Sequence, residues 1–150
     1  MNSTAAVSQL AGELSGRLGT LTHLLRREID YAGVSPTLAT VLAALDRDGP
    51  KRVSELAEIA QIAQPTMTTH LRKLTADGTV TRGADPSDQR VVTIELTPAG
   101  RELLGRLRTA RQSALQRRLD TLDADDRAAL AAAIPALDKL LDNWRKVDQA

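Results

Sequence analysis

The 150-residue sequence contains no cysteine, and this absence removes several kinds of chemistry at once. Disulfides, thiolate metal sites and cysteine-based redox switches are all excluded. Aromatic residues are nearly absent as well, since Tyr31 and Trp144 are the only two. The core must therefore be built from leucine, alanine, valine and isoleucine, which favours helices packed on helices.

Long apolar runs are also missing from the sequence. No stretch approaches the roughly 20 apolar residues that span a bilayer, and the N-terminus has no basic region followed by an apolar segment. We therefore expect no membrane partner and a soluble, cytoplasmic chain. With 42% hydrophobic and 26% charged residues, this length suits a single domain over residues 1–150. The net charge of +1 by itself says nothing about a nucleic-acid partner.

Apolar residues recur at three- and four-residue steps along most of the chain, which predicts amphipathic helices. The first helix is expected to end at Gly33, and the second to begin with Ser35 as its N-cap. Thr97 and Asp123 are expected to cap the two C-terminal helices. Two shorter helices, over residues 54–60 and 65–74, are joined by the three residues 61–63.

From residue 79 to residue 96 the helical spacing gives way to alternation of apolar and polar residues, which predicts a β-hairpin. Strands are expected over residues 79–82 and 90–96, with a loop rich in Gly, Asp, Pro and Ser at 83–89. Two short helices followed directly by a hairpin form a winged helix-turn-helix. The predicted fold is mainly α with a small β-hairpin wing. It has a winged helix-turn-helix DNA-binding lobe over residues 35–97, flanked by long dimerisation helices in 1–34 and 98–150.

The second short helix is the natural reader of a DNA major groove, which admits one α-helix. Its buried face is expected to be Met67, Leu71 and Leu74, and no acid occurs between Gln61 and Lys73. Amide and hydroxyl groups suit base edges, and cations suit phosphate or guanine. The residues predicted to contact DNA are Gln64, Pro65, Thr66, Thr68, Thr69, His70, Arg72 and Lys73, with Ser54 from the preceding helix.

Five short segments occur in a characteristic order and spacing. They are Ser-Glu-Leu-Ala at 54–57, Gln-Pro-Thr-Met-Thr at 64–68, Asp-Gly-Thr-Val-Thr-Arg at 77–82, Asp-Gln-Arg at 88–90 and Leu-Thr-Pro-Ala-Gly at 96–100. Each is a weak signal alone, whereas the order is specific. Together they resemble the MarR family of winged helix-turn-helix transcriptional regulators, over about residues 35–104. The resemblance implies a sequence-specific regulator of double-stranded DNA, with repression as the expected mode.

The resemblance also assigns roles in the wing. It implies that Arg90 reaches into a minor groove, whose negative potential attracts arginine, and that Asp88 orients it. Arg82 would pair with the wing aspartate or meet the DNA backbone. Asp88 and Arg90 can equally hold the hairpin together, and the two roles are compatible. Gln89 and Thr69 stand where the family often has basic residues, so we expect a shallower salt dependence of DNA binding.

A homodimer is a further implication of the resemblance, formed by the N-terminal helix and the last two helices. The sequence supports this independently, because the helices over residues 10–29 and 130–147 are leucine-rich and would expose apolar surface in a monomer. Many relatives respond to small phenolic or lipophilic ligands. By analogy His23, Arg27, Tyr31 and Met67 could line such a site, although core and boundary packing explains these residues equally well.

Other classes of function fit the sequence less well. The two histidines are far apart, and no nucleophile, metal-binding or phosphate-binding glycine motif occurs, so we expect no enzyme, cofactor or metal site. A metal-sensing repressor is disfavoured by the lack of cysteine and the scarcity of histidine. The alternative left open is a winged-helix protein-interaction module without DNA binding, against which Arg90 and the acid-free helix argue.

Overall fold

The computed structural model describes residues 3–29, 34–85 and 88–147. The elements in chain order are α1 Ser3–Glu28, α2 Pro36–Asp48, β1 Lys51–Arg52, α3 Val53–Ala60, α4 Gln64–Ala76, β2 Val80–Asp85, β3 Asp88–Leu96, α5 Pro98–Leu119 and α6 Ala124–Val147. The mainly helical fold with a β-hairpin wing is therefore confirmed. α1 ends at Glu28, and the predicted stop at Gly33 lies outside the described residues.

The chain forms two compact units, residues 1–112 and 113–150. The first contains α1 to α4, the sheet and most of α5, and the second contains the end of α5 together with α6. The division into a central DNA-binding lobe and flanking dimerisation helices remains a prediction.

Local capping interactions set several helix boundaries, as the sequence predicted. Ser35 Oγ accepts a hydrogen bond from the Leu38 N–H at 3.2 Å, and Pro36 occupies the first turn of α2. Gly49 ends α2 with a φ of 80°, a conformation that glycine adopts without steric cost. At the start of α6, Asp123 Oδ1 accepts from the Asp126 N–H at 2.8 Å. Each cap satisfies a backbone group that the helix itself leaves without a partner.

The strands of the described residues form one antiparallel sheet in the order β1-β3-β2. Lys51 and Arg52 of β1 pair with Ile94 and Thr93, a two-residue strand too short to show a sequence pattern. The predicted loop over residues 83–89 is too long, because Gly83 continues β2 opposite Thr93. Pairing with the neighbouring strand here overrides the weak β-propensity of the Gly-Ala-Asp segment.

The hydrophobic core of the first unit joins α2, α3, α4, the hairpin and the start of α5. The predicted buried face of α4 is confirmed, since Met67, Leu71 and Leu74 are almost fully buried. The other large members of the core are Leu38, Val41, Leu42, Leu45, Leu56, Val80, Ile94, Leu96, Leu103, Leu104 and Leu107. This core fixes which face of α4 is left on the surface.

The first turn of α5 is fastened to the residues that lead into the wing. Thr97 Oγ1 lies 2.6 Å from the Gly78 carbonyl oxygen and 3.0 Å from that of Thr79, and it accepts from the Gly100 N–H at 3.0 Å. Gly100 is buried, and a β-carbon there would overlap the Thr79 carbonyl oxygen and lie 2.7 Å from Leu96 Cδ1. The Leu-Thr-Pro-Ala-Gly segment therefore has a packing role.

The described residues contain neither a membrane-spanning helix nor a cluster of metal ligands. In residues 3–29, 34–85 and 88–147, no helix is long and apolar enough to cross a membrane. Across the same ranges, no group of three or more His, Asp or Glu side chains is arranged to hold a metal ion.

Candidate nucleic-acid interface

Helices α3 and α4 are joined by a tight turn over residues 61–63. Gln61 adopts a left-handed conformation with a φ of 53°, and its N–H donates to the Glu58 carbonyl at 3.0 Å. The Ile62 N–H donates to the Ala57 carbonyl at 3.1 Å, which completes the end of α3. Because this turn is hydrogen-bonded at both residues and α4 packs on the core, the two helices form a fixed helix-turn-helix.

Most of the residues predicted to contact DNA lie on the exposed side of this pair of helices. Thr68 and His70 are half-buried at the flanks of the exposed face, and Ser54 is exposed in the first turn of α3. The exposed members on α4 are Gln64, Pro65, Thr66, Thr69, Arg72 and Lys73. The exposed members on α4 therefore share one side of that helix, and α4 itself contains no carboxylate.

Two threonine hydroxyl groups on α4 are bonded to their own helix. Thr68 Oγ1 donates to the Gln64 carbonyl at 2.9 Å, and Thr69 Oγ1 donates to the Pro65 carbonyl at 3.1 Å. Each hydroxyl proton is thus engaged, and what remains for a partner is an oxygen acceptor and a methyl group. In a major groove these groups match the amino groups of adenine or cytosine and the methyl group of thymine.

The N-terminus of α4 presents backbone donors on the same surface. Its N-cap residue is Ala63, no side chain of the described residues caps this end, and no acid occurs in the first turn. The first backbone N–H groups of a helix have no partner within the helix, and they favour an anion such as a phosphate. Pro65, in the first turn, lacks an N–H and so leaves no donor unsatisfied there.

The wing carries two exposed arginines, Arg82 on β2 and Arg90 on β3. Asp88 Oδ1 accepts from the backbone N–H of Arg90 at 3.0 Å, so the carboxylate organises the chain at the arginine rather than pairing with its guanidinium. No ion pair joins Arg82 to Asp88 within the described part of the wing. Gln89 belongs to β3, but its side chain lies outside what the structure describes.

An ion pair that the sequence did not reveal ties the wing to the helix-turn-helix. Arg52 Nη2 lies 2.9 Å from Asp85 Oδ2, across 33 positions of sequence. The hydrogen bond to Asp85 and the charge of that carboxylate raise the pKa of the Arg52 guanidinium above its ordinary value. No local pattern signals such a pair, since it depends on how β1 and the hairpin are placed in one sheet.

The residues proposed for an effector site are not brought together in one described cavity. Met67 is fully buried in the core, whereas His23 and Arg27 are exposed on α1, and Tyr31 lies outside the described residues. A different cavity of about 280 Å³ lies beside the C-terminal part of α1. It is lined by Thr22, Leu25, Arg26, Ile29, Pro36, Thr40 and Arg111.

The chain is similar to known proteins in both sequence and fold. The sequence model of the MarR family matches residues 34–92. An HTH-type transcriptional regulator of Mycobacterium leprae is 32% identical over 90% of this chain and 94% of that protein. The crystal structure of a transcriptional regulator protein from Pseudomonas aeruginosa has a TM-score of 0.75 at 34% identity, covering 92% of this chain and 96% of the other.

Other matches carry more specific names. BpsR of Bordetella bronchiseptica, whose DNA binding is regulated by 6-hydroxynicotinic acid, has a TM-score of 0.56 at 22% identity, over 87% of this chain and 98% of that one. Relatives in Bacillus subtilis and Pseudomonas putida are named transcriptional repressors. These are names of transcriptional regulators and not of enzymes.

Proposed function

Because this chain belongs to the MarR family of HTH-type transcriptional regulators, we propose that it acts as a homodimer that represses transcription from a pseudo-palindromic DNA site. DNA binding follows from the family, whereas the dimer, the direction of regulation and the form of the site are proposed. Two relatives named repressors support repression. The relatives come from bacteria, in which DNA lies in the cytoplasm, and we propose the same location for this chain.

The observation that carries the proposal is the acid-free exposed face of α4 beside an exposed arginine on the wing. Thr69 and Arg72 on α4 present an acceptor, a methyl group and a cation, which suit a major groove. Arg90 on β3 supplies a cation for the adjacent minor groove. A protein-interaction module has no need for this combination, so DNA is the better match.

The outer helices support the homodimer. α1 and α6 each carry a row of apolar side chains that are exposed in the single chain. These are Val7, Leu10, Leu18, Leu21 and Leu24 on α1, and Leu130, Ile134, Leu137, Leu140, Leu141 and Trp144 on α6. Apolar surface on this scale marks an interface. A two-fold dimer would read half-sites about one helical turn of DNA apart.

DNA selection tests the proposal most directly. Purified protein is mixed with fragmented genomic DNA from its own organism at near-physiological salt, and the retained fragments are sequenced and footprinted. We expect enrichment of a pseudo-palindrome, protected on one side of the duplex. Enrichment no greater than that of unrelated DNA would favour the protein-interaction module instead.

Arg90→Ala is expected to weaken binding to the selected site by about tenfold, the order of one lost groove contact. Arg90 is exposed, so the fold and the oligomeric state should not change. Arg27→Ala is the matched control, because it removes an equal charge from an exposed position on α1 that lies outside the row of exposed apolar side chains. The measurement is a fluorescence-anisotropy titration at physiological salt. Equal affinities for wild type and Arg90→Ala would rule out the wing contact.

We further propose a small aromatic acid or phenol as the effector, bound in the cavity beside α1. Arg26 and Arg111 supply cations for a carboxylate or phenolate, and Leu25, Ile29 and Pro36 supply apolar walls. The regulation of BpsR by 6-hydroxynicotinic acid supports this class of ligand. Such a ligand would change DNA affinity only by binding one arrangement of the protein more tightly than another.

Calorimetric titration with 6-hydroxynicotinic acid checks this site. We expect binding by wild type and a loss of about tenfold or more in Arg111→Gln, since hydrogen bonds to charged groups are the stronger ones. Arg106→Gln is the matched control, because Arg106 is exposed on the same helix and does not line this cavity. Absence of binding to wild type, or equal losses in both variants, would contradict the site.

A further inference from the structure

Arg52 occupies the junction between the sheet and the helix-turn-helix. It is the second residue of β1, paired with Thr93 of β3, and it directly precedes α3. Its backbone N–H donates to a carboxylate oxygen of Glu55 at 2.6 Å, which closes the first turn of α3. The backbone of Arg52 is therefore held by the sheet on one side and by the helix-turn-helix on the other.

The side chain of Arg52 connects this junction to the far end of the wing. Asp85, its partner at 2.9 Å, is the last residue of β2, at the point where the strand register shifts. Asp85 lies opposite Asp88, and Asp88 holds the backbone N–H of Arg90. The ion pair, the strand pairing and that hydrogen bond form a continuous series of contacts from α3 to the arginine of the wing.

Such a link matters because two strands extending from a sheet are only marginally stable on their own. If α4 enters a major groove and Arg90 enters a minor groove, the two contacts form together only when the wing keeps a fixed orientation. We propose that Arg52 is a positioning residue for DNA binding, which sets this orientation through Asp85. The inference rests on the proposed function and adds to it a residue that does not itself need to contact DNA.

Arg52→Gln and Asp85→Asn separate positioning from direct contact. The Arg52 side chain is 49% exposed, so it could also bind a phosphate, whereas the Asp85 side chain is 17% exposed and an acid would not bind one. Positioning predicts that each variant weakens operator binding by about fivefold, which is the upper end for an exposed ion pair. It also predicts that the double variant binds the operator with the same affinity as either single variant. Arg52→Lys, which keeps the charge, should restore part of the loss.

Direct phosphate binding by Arg52 gives a different pattern. Asp85→Asn would then leave affinity unchanged or raise it, because it removes a competing anion. Arg52→Gln alone would reduce the slope of affinity against salt concentration by about one. Either result would overturn the positioning role.

Coupling to Arg90 distinguishes positioning from a purely structural contact. With the wing misplaced, the loss caused by Arg90→Ala should be smaller in the Arg52→Gln background than in wild type. Equal losses in both backgrounds, or operator affinity within twofold of wild type in Arg52→Gln, would overturn the inference. If the wild-type protein retains no specific DNA, that result contradicts the proposed function. If the wild-type protein does bind a specific site, the variants test the positioning role of Arg52 independently of the proposed function.

Discussion

Gly100→Ala is expected to lower the free energy of unfolding by about 3 kcal/mol, at the upper end for an overpacked buried site. The added β-carbon would overlap the Thr79 carbonyl oxygen, which is a backbone atom and cannot rotate away. It would also lie 2.7 Å from Leu96 Cδ1. To relieve these contacts, α5 must move from the residues that enter the wing, and the bonds of Thr97 to Gly78 and Gly100 must stretch.

Gly105→Ala is the matched control for this prediction. It makes the same chemical change in the same helix, but apart from its chain neighbours and the backbone of its own helix no heavy atom of the described residues lies within 4 Å of the position of the new β-carbon. Alanine has a higher helix propensity than glycine, so this variant should gain about 0.5–1 kcal/mol. Urea unfolding, followed by circular dichroism at one protein concentration, compares the two. Equal stability of Gly100→Ala and wild type would show that α5 does not pack closely against Thr79.

The two glycine substitutions are expected to change the free energy of unfolding in opposite directions, although both glycines lie in the same helix. Leu-Thr-Pro-Ala-Gly at 96–100 contributed to the family resemblance, and the structure supplies its physical reason. Thr97 bonds two carbonyls of the preceding turn, and Gly100 leaves room for one of them. The helical pattern alone could not have separated Gly100 from Gly105, because the difference depends on Thr79, which is distant along the chain.

Features set by neighbouring residues were predictable from the sequence. Ser35 and Asp123 cap their helices with their own side chains, so local chemistry defines those boundaries. The buried face of α4 follows from helical spacing, and with it the surface that carries the candidate DNA contacts. Periodicity did not show that Thr68 is half-buried, because that depends on neighbouring elements.

Features set by distant pairing were not predictable. β1 has two residues and exists only through its pairing with β3. The hairpin extends into a segment of low β-propensity because Gly83 and Ala84 pair with Thr93 and Val92. The Arg52–Asp85 ion pair depends on both of these facts. Of the wing, the sequence thus indicated the exposed cations, and the structure supplied the contacts that hold them.

Ile134→Asp is expected to convert the proposed dimer to monomers and to weaken operator binding by about a hundredfold or more. Ile134 is 54% exposed in the single chain, so an aspartate is tolerated there if no partner covers it. In a dimer built on α6, the same aspartate would be buried without a counter-charge, which carries a large desolvation cost. Two-fold symmetry places the substitution in both subunits. A monomer then binds one half-site and loses the gain from simultaneous attachment.

Lys139→Asp provides the control, since it introduces the same side chain on α6 at an exposed position away from the apolar row. Sedimentation velocity at micromolar concentration gives the oligomeric state of both variants, and an anisotropy titration gives their operator affinity. A dimeric Ile134→Asp would show that the apolar face of α6 is not the interface. A monomeric variant that binds the operator as tightly as wild type would show that dimerisation makes no contribution to recognition. The proposed mechanism requires that dimerisation and tight operator binding are lost together. In that mechanism α6 contributes to DNA affinity only by joining the winged helix-turn-helix lobes of two subunits.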